Sequence, residues 1–167
     1  MSLEIQPIDS VSAKNCLSLN ERFVEMLSPL SLEDFNDLVE SSFYAKQING
    51  GHAFLIAFSH EAEYASTHFH WFKERHNIFY YVDRIVVGPA LQGQGVARAL
   101  YDDLMDVCRR DLKVRHGAVD DAVMLCAEVN IVPPNPASHR FHEAYGFKPV
   151  AKGTYGPKQV QYYEAPL

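Results

Sequence analysis

Cysteine is scarce: Cys16, Cys108 and Cys126 are odd in number and show no CxxC spacing, so neither a disulfide framework nor a metal is expected to be needed for folding. A reducing cytoplasm is the expected compartment. No stretch approaches 18 consecutive apolar residues, so no transmembrane span is expected, and Met1-Ser2-Leu3-Glu4 lacks the basic and apolar segments of a secretory signal. Basic residues are in deficit, 15 against 21 acidic ones, and the formal charge of −6 opposes approach to a phosphate backbone or an anionic membrane. Nucleic acid and membrane are therefore not expected partners, although a small anion held by local dipoles remains compatible. There is no repeat, low-complexity tract or Gly/Ser linker, so residues 1–167 read as a single domain. What is present is a globular composition, 47% hydrophobic and 22% charged, in a chain long enough to bury a substantial core.

Periodicity divides the chain into elements. Leu3 to Ile8 alternates as a strand, and Asp9 and Ser10 are plausible caps for a helix carrying Val11, Leu17, Leu19, Phe23 and Leu27 that breaks near Pro29. Ser31, followed by Glu33 and Asp34, starts a second helix. Tyr44 to Ile48, the turn Asn49-Gly50-Gly51 and Ala53 to Phe58 read as a hairpin, and Phe79 to Val87 as the next strand. Val96, Leu100, Leu104, Cys108 and Leu112 recur every four residues, which is an amphipathic helix. Val123 to Val129 suits a strand buried on both faces, Ala137 to Ala144 a short helix closed by Gly146, and two strands near 147–154 and 160–164 end the chain. The order β-α-α-β-β-β-α-β-α-β-β is α+β.

The segment Val86-Val87-Gly88-Pro89-Ala90-Leu91-Gln92-Gly93-Gln94-Gly95-Val96-Ala97 joins a strand to a helix through a loop of small residues. Amides of a glycine-rich turn and of a helix's first turn converge there, and the helix dipole adds about half a positive charge, so an anion could be held without lysine. A GxGxxG loop would need glycine where Arg98 stands, and no GK[ST] ending is present.

Forty positions on comes Asn135-Pro-Ala-Ser138-His-Arg-Phe141-His142-Glu-Ala-Tyr145-Gly146-Phe147. Together the two segments resemble the GNAT superfamily of acyl-CoA-dependent N-acyltransferases. The first is similar to the family's Q/R-x-x-G-x-G/A loop as Gln92-x-x-Gly95-x-Ala97, the second to its N-x-x-A/S-x-x-(apolar)-(aromatic)-x-x-x-G-F helix. The resemblance implies a mixed, mostly antiparallel sheet of about seven strands with helices on both faces. It also implies acetyl-CoA as acyl donor, no metal, and direct transfer of the acetyl group to a primary amine. Val86 and Val87 would then contact the pantetheine arm, with the Val87 N–H polarising the thioester carbonyl. Gln92, Gly93, Gln94, Gly95, Val96 and Ala97 would cradle the pyrophosphate. Arg98 would touch a phosphate or remain a solvated surface charge. Asn135, Ser138 and His142 fall on the cofactor-binding face of their helix, Asn135 meeting the pantetheine amide.

The family usually gives protonation of the departing thiolate to a tyrosine seven positions after the capping asparagine, which here is His142. Tyr145, at a position generally apolar in the family, is the alternative. An imidazolium with pKa near 6.5 would protonate a thiolate of pKa about 8.5 downhill, but is mostly deprotonated at neutral pH. For the base, Asp83 shares a strand face with Tyr81, Ile85 and Val87, and Glu128 competes from the next buried strand, where burial would raise its pKa. Each carboxylate has a structural reading as well, paired with Arg84 or another cation.

Residues 59–78 form a long connection rich in His and aromatic side chains, either a wall for the acceptor amine or a hydrophobic lid packed on its own domain, part of it open to helix. His68-x-His70 would put two imidazoles on one face of a strand, without a third ligand. The acceptor is expected to be a small-molecule or peptide amine, and a homodimer follows from family analogy alone. The competing functional reading is an acyl-CoA-binding sensor with little or no turnover.

Overall fold

A computed structural model describes residues 3–119 and 122–167. In chain order its elements are β1 (Ile5–Pro7), α1 (Ser12–Glu21), α2 (Leu32–Ser41), β2 (Tyr44–Ile48), β3 (Ala53–Ser59), α3 (Thr67–Lys73), β4 (Phe79–Val87), a 3-10 turn (Pro89–Leu91), α4 (Val96–Arg115), β5 (Met124–Val132), α5 (Pro136–Tyr145), β6 (Lys148–Tyr155) and β7 (Lys158–Pro166). The seven strands form one sheet in the order β1-β2-β3-β4-β5-β7-β6. β1–β2, β2–β3, β5–β7 and β6–β7 pair antiparallel, whereas β4 and β5 run parallel from Phe79↔Met124 to Tyr81↔Cys126. The expected α+β class with a mostly antiparallel seven-stranded sheet is the fold observed; α3 is the helix that the expected element order left out. The chain divides into two compact units, Met1–Phe58 with Asp83–Asp106 and Ser59–Val82 with Val107–Leu167, so β4 and α4 each contribute to both.

In the first unit β3 is the centre of the core. Ala53 to Phe58 are all buried, which explains the unbroken apolar run, and Phe35 of α2 meets Phe54 edge-on at 5.7 Å. The β2–β3 turn takes left-handed backbone at Asn49, Gly50 and Gly51 (φ 53°, 70° and 100°). Gly51 has a second constraint, because a Cβ there would come within 2.9 Å of the Ser12 carbonyl oxygen. α2 starts at Ser31, the start signal read from the sequence, and the structure shows it as a capping box, Ser31 accepting from the Asp34 amide at 3.0 Å. α1 is shorter than expected. It stops at Glu21, leaving Phe23 and Leu27 in turns and Val11 73% exposed at the N-cap. The reason is Asn20, which is fully buried and donates to the Ser28 carbonyl at 3.2 Å, tying the following loop back instead of prolonging the helix. Of the two expected caps, Asp9 accepts from the Val11 and Ser12 amides just ahead of the helix, while the N-cap position itself falls on Val11, which makes no side-chain cap bond.

In the second unit Ser66 caps α3 by accepting from the Phe69 amide, and Phe69 and Phe72 are fully buried against the rings of Phe79 and Tyr81. Much of the 59–78 segment is therefore a hydrophobic lid over its own unit. On a helix, His68 and His70 point about 200° apart, which removes the shared strand face expected for them. β5 runs three residues past Val129 before Pro133 ends it, and α5 closes on Gly146 with φ 121°.

Candidate active site

The loop after β4 is shaped by close approach and by its own glutamines. Gly88 donates to the His52 carbonyl at 2.9 Å, and a Cβ on Gly88 would stand 2.7 Å from that oxygen, so only glycine lets β4 turn there. Leu91 and Val96 are buried and anchor the loop's two ends. Between them Gln92 Nε2 donates to the Val87 carbonyl at 3.1 Å and Gln94 Nε2 to the Ala90 carbonyl at 2.7 Å. Both glutamine side chains, expected to meet a ligand, are thus spent on loop carbonyls, which leaves backbone amides as the loop's binding groups. Gly93 and Gly95 each take φ 75°, and an added Cβ would meet nothing within 4 Å at either. Both glycines are exposed with open space beside them, and the loop leads into the first turn of α4, where the Val96 and Ala97 amides have no intrahelical acceptor. A pyrophosphate fits that donor set. α4 itself is held in the first unit by Asp103, which accepts from Tyr44 at 2.8 Å and from Lys46 at 2.7 Å. Arg98 is exposed on the first turn.

Asp83 is committed elsewhere. Its carboxylate takes the Nε–H of Arg84 at 2.7 Å with both side chains about 95% buried, and Arg84 also donates to Asn20 at 2.9 Å. Of the two readings given for Asp83, the structural ion pair is the one the geometry displays. Arg84 thereby joins β4, α1 and the loop that follows α1.

In the second unit Glu128 is the carboxylate with a different surrounding. Oε1 accepts the Tyr81 hydroxyl at 2.9 Å, and in the β5–β7 register Glu128 lies opposite Tyr162. Burial, and then the Glu128 charge, raise the pKa of the Tyr162 phenol, which keeps it protonated. Tyr162 is enclosed by aromatic rings: Trp71 stacks on it at 4.1 Å and 11°, and His68 Nδ1 lies 3.0 Å from its hydroxyl. A Cβ on Gly153 would come within 2.6 Å of that hydroxyl, so β6 leaves the room Tyr162 occupies. Tyr81 and Tyr162 were not singled out as site residues from the sequence. Their pairing with Glu128 depends on strand register, and the available signal was the alternation that put Tyr81 on the face of Asp83.

α5 begins as expected, the Asn135 side chain accepting from the Ser138 amide. His142 is 3% exposed and stacks on Tyr163 at 5.9 Å. Its Nδ1 lies 2.8 Å from the Ser138 carbonyl, and a carbonyl only accepts, so Nδ1 carries the proton. Burial lowers the imidazole pKa to about 4, outweighing the contribution of the Ser138 bond. The imidazolium offered by the sequence reading is therefore absent at neutral pH: His142 is a neutral imidazole whose Nε2 can only accept. Tyr145, one turn on, is half-buried beside Phe141 and Phe147. Tyr163, unremarked in the sequence, places its hydroxyl 2.7 Å from His139 Nδ1 and 3.1 Å from Glu143 Oε1, fixing α5 against β7.

The profile of the Acetyltransferase (GNAT) family matches residues 20–147. No curated protein matches the chain. Among solved structures, the chain is similar to the ribosomal-protein-S18-alanine N-acetyltransferase of Escherichia coli (20% identity, TM-score 0.64, covering 99% of this chain and 94% of that one). It is similar to Ard1 of Thermoplasma volcanium (15%, TM-score 0.72, 100% and 99%) and to Arabidopsis thaliana Naa50 in complex with the bisubstrate analogue CoA-Ac-MVNAL (11%, TM-score 0.69, 100% of both).

Proposed function

We propose, because this chain belongs to the Acetyltransferase (GNAT) family, that it transfers the acetyl group of acetyl-CoA to a primary amine by direct attack, with the α-amine of a peptide or protein as the acceptor class. The observation that carries this reading is the loop: two successive left-handed glycines with open space above them, opening into a helix N-terminus. Bound there, acetyl-CoA supplies an activated thioester carbonyl. The amides from Gly93 to Ala97 hold the pyrophosphate, Arg98 adds a phosphate contact, and Gln92 and Gln94 keep the loop carbonyls turned away from the anion. The Val87 N–H polarises the thioester oxygen as negative charge develops on it, while Val86 and Asn135 contact the pantetheine arm. Ser138 supports that contact by holding His142 in its tautomer.

Glu128 takes the proton that the amine must lose, with the Tyr81 hydroxyl keeping its carboxylate oriented and charged. A neutral His142 accepts a hydrogen bond through Nε2 and donates no proton there. The thiolate is then protonated by the Tyr145 phenol, an uphill transfer of roughly 2 kcal/mol that turnover tolerates. Peptide amines are favoured as acceptors because the similar structures include one named for an alanine of ribosomal protein S18 and one holding a CoA-peptide conjugate. A cytoplasmic location belongs to the same reading, supported by three buried free thiols; among the described residues no helix is long and apolar enough to cross a membrane.

The sensor reading keeps one specific observation in its favour, the neutral histidine where the family usually has tyrosine. Calorimetric titration with acetyl-CoA, beside CoA and ATP, tests the loop first. Acceptor-dependent release of free thiol over a panel of N-terminal peptides then separates the two readings. Micromolar binding with turnover establishes the transferase; binding without turnover on any amine favours the sensor.

A further inference from the structure

Away from the residues assigned to acetyl transfer, the second unit gathers two histidines and a glutamate where β3 gives way to the loop before α3 and where α4 ends. His60 follows β3 directly, its amide held by the Phe79 carbonyl at 2.9 Å. His116 follows the last residue of α4, its amide bonded to the Leu112 carbonyl at 3.0 Å. The two imidazoles lie 5.4 Å apart at 54°, and one ligand atom from each of His60, Glu61 and His116 falls within 4.8 Å of the other two. His60 Nε2 is 3.9 Å from Glu61 Oε1, while the other carboxylate oxygen of Glu61 accepts from Arg115.

Two of these ring nitrogens, His60 Nδ1 and His116 Nε2, are buried without a hydrogen-bond partner. Buried polar atoms normally find one, and two orphans from adjacent imidazoles call for a shared explanation. Solvation by protein is not provided, but a cation would satisfy lone pairs that no donor reaches. The C-terminal end of α4 adds a negative partial charge beside His116, which favours a cation, and the Arg115 guanidinium opposes it.

We propose that His60, His116 and Glu61 form a binding site for a divalent transition-metal ion of the zinc type, with water as the fourth ligand. Two imidazole nitrogens and one carboxylate oxygen match zinc far better than magnesium or calcium, which prefer all-oxygen shells. Tetrahedral coordination brings ligand atoms to about 3.4 Å from one another, so the side chains need move only on the order of 1 Å. Such an ion would tie the 59–61 segment to the end of α4 and would act as a staple, since acetyl transfer as described above uses no metal.

The test begins with protein dialysed against chelator and titrated with zinc chloride by calorimetry, with magnesium chloride as the second arm. Cobalt chloride supplies a spectroscopic readout, because tetrahedral Co²⁺ absorbs strongly in the visible. One equivalent of Zn²⁺ bound, no response to Mg²⁺, and a tetrahedral Co²⁺ spectrum are expected. His116→Ala and Glu61→Gln should each weaken Zn²⁺ binding by more than about tenfold. Glu61 is half exposed, so Glu61→Gln leaves the fold intact even if His116→Ala does not. His76→Asn serves as the control for the other cluster, His76, Cys126 and Glu164, and should leave Zn²⁺ affinity unchanged. Absence of stoichiometric Zn²⁺ binding overturns the proposal. So does binding that survives both Glu61→Gln and His116→Ala but is lost in His76→Asn.

Discussion

Tyr81 of β4 donates its hydroxyl to Oε1 of Glu128 in β5 at 2.9 Å across 47 residues of sequence. β4 and β5 run parallel here, with Tyr81 registered against Cys126, two positions before Glu128. A parallel ladder slants its hydrogen bonds, and side chains two residues apart lie on one face, so the longer phenol spans the offset. The carboxylate is oriented by a buried phenol rather than by a cation, unlike Asp83.

Glu128→Gln should lower kcat with a peptide acceptor by about 10² to 10⁴ while the Kd for acetyl-CoA stays within twofold. Tyr81→Phe should cost less. It should also move the acidic limb of the kcat/KM profile to higher pH, because the lost hydrogen bond favoured the charged carboxylate. Steady-state rates from pH 5.5 to 9 decide this, and an unmoved limb with unchanged kcat removes Glu128 as the base.

Asp83→Ala should be a stability variant. It strands the Arg84 guanidinium, 5% exposed, among Asn20 and Ser28, and breaking a buried pair in this way costs about 3 kcal/mol. Urea unfolding should register that loss while kcat of the folded protein is retained. Loss of turnover at unchanged stability would return Asp83 to the role of base.

The pH dependence of stability should carry the signature of His142. Its folded pKa of about 4 lies below the ordinary 6.5. Above pH 6.5 neither state is protonated, and the residue's contribution is complete. As pH falls below 6.5 the unfolded chain takes up a proton that the folded chain refuses, and stability is lost until the folded pKa is passed. The total is about 3 kcal/mol. Urea unfolding at pH 7 and pH 4.5 should show His142→Phe losing markedly less stability on acidification than the wild type. Equal losses would contradict the buried, neutral imidazole.

Gly95→Glu should abolish acetyl-CoA binding, since it fills open space at φ 75° with bulk and negative charge where the pyrophosphate is placed. A loss of at least about 100-fold in affinity is expected, as like charges in contact cost several kcal/mol. Gly95→Ala separates the backbone strain from the charge, with a smaller loss. Normal binding by a folded Gly95→Glu protein would withdraw the loop assignment.

Much was legible in the sequence because its causes are local. Phe79–Val87 is a strand with the expected bounds, the Asn49-Gly50-Gly51 turn takes the left-handed backbone its residues permit, and Ser31 with Asp34 caps α2. Turn chemistry, capping and apolar period act within a few residues of chain, as does the spacing that carries the family resemblance. α1 escaped this logic because Asn20 turns away from the helix to bind Ser28 and Arg84, the latter 64 residues on.

The candidate site divides in the same manner. Residue types and spacing suffice to place the glycine loop before α4 and the asparagine cap of α5. They leave two carboxylates equivalent, and only tertiary packing distinguishes them, handing Asp83 an arginine and Glu128 a tyrosine from another strand. The protonation of His142 is likewise beyond local reading, because desolvation depends on Tyr163, Phe147 and the other groups that exclude water from it. The pairing of His60 with His116 is of the same kind: they stand 56 positions apart in the sequence, and only the folded chain brings their rings to 5.4 Å and buries a nitrogen of each.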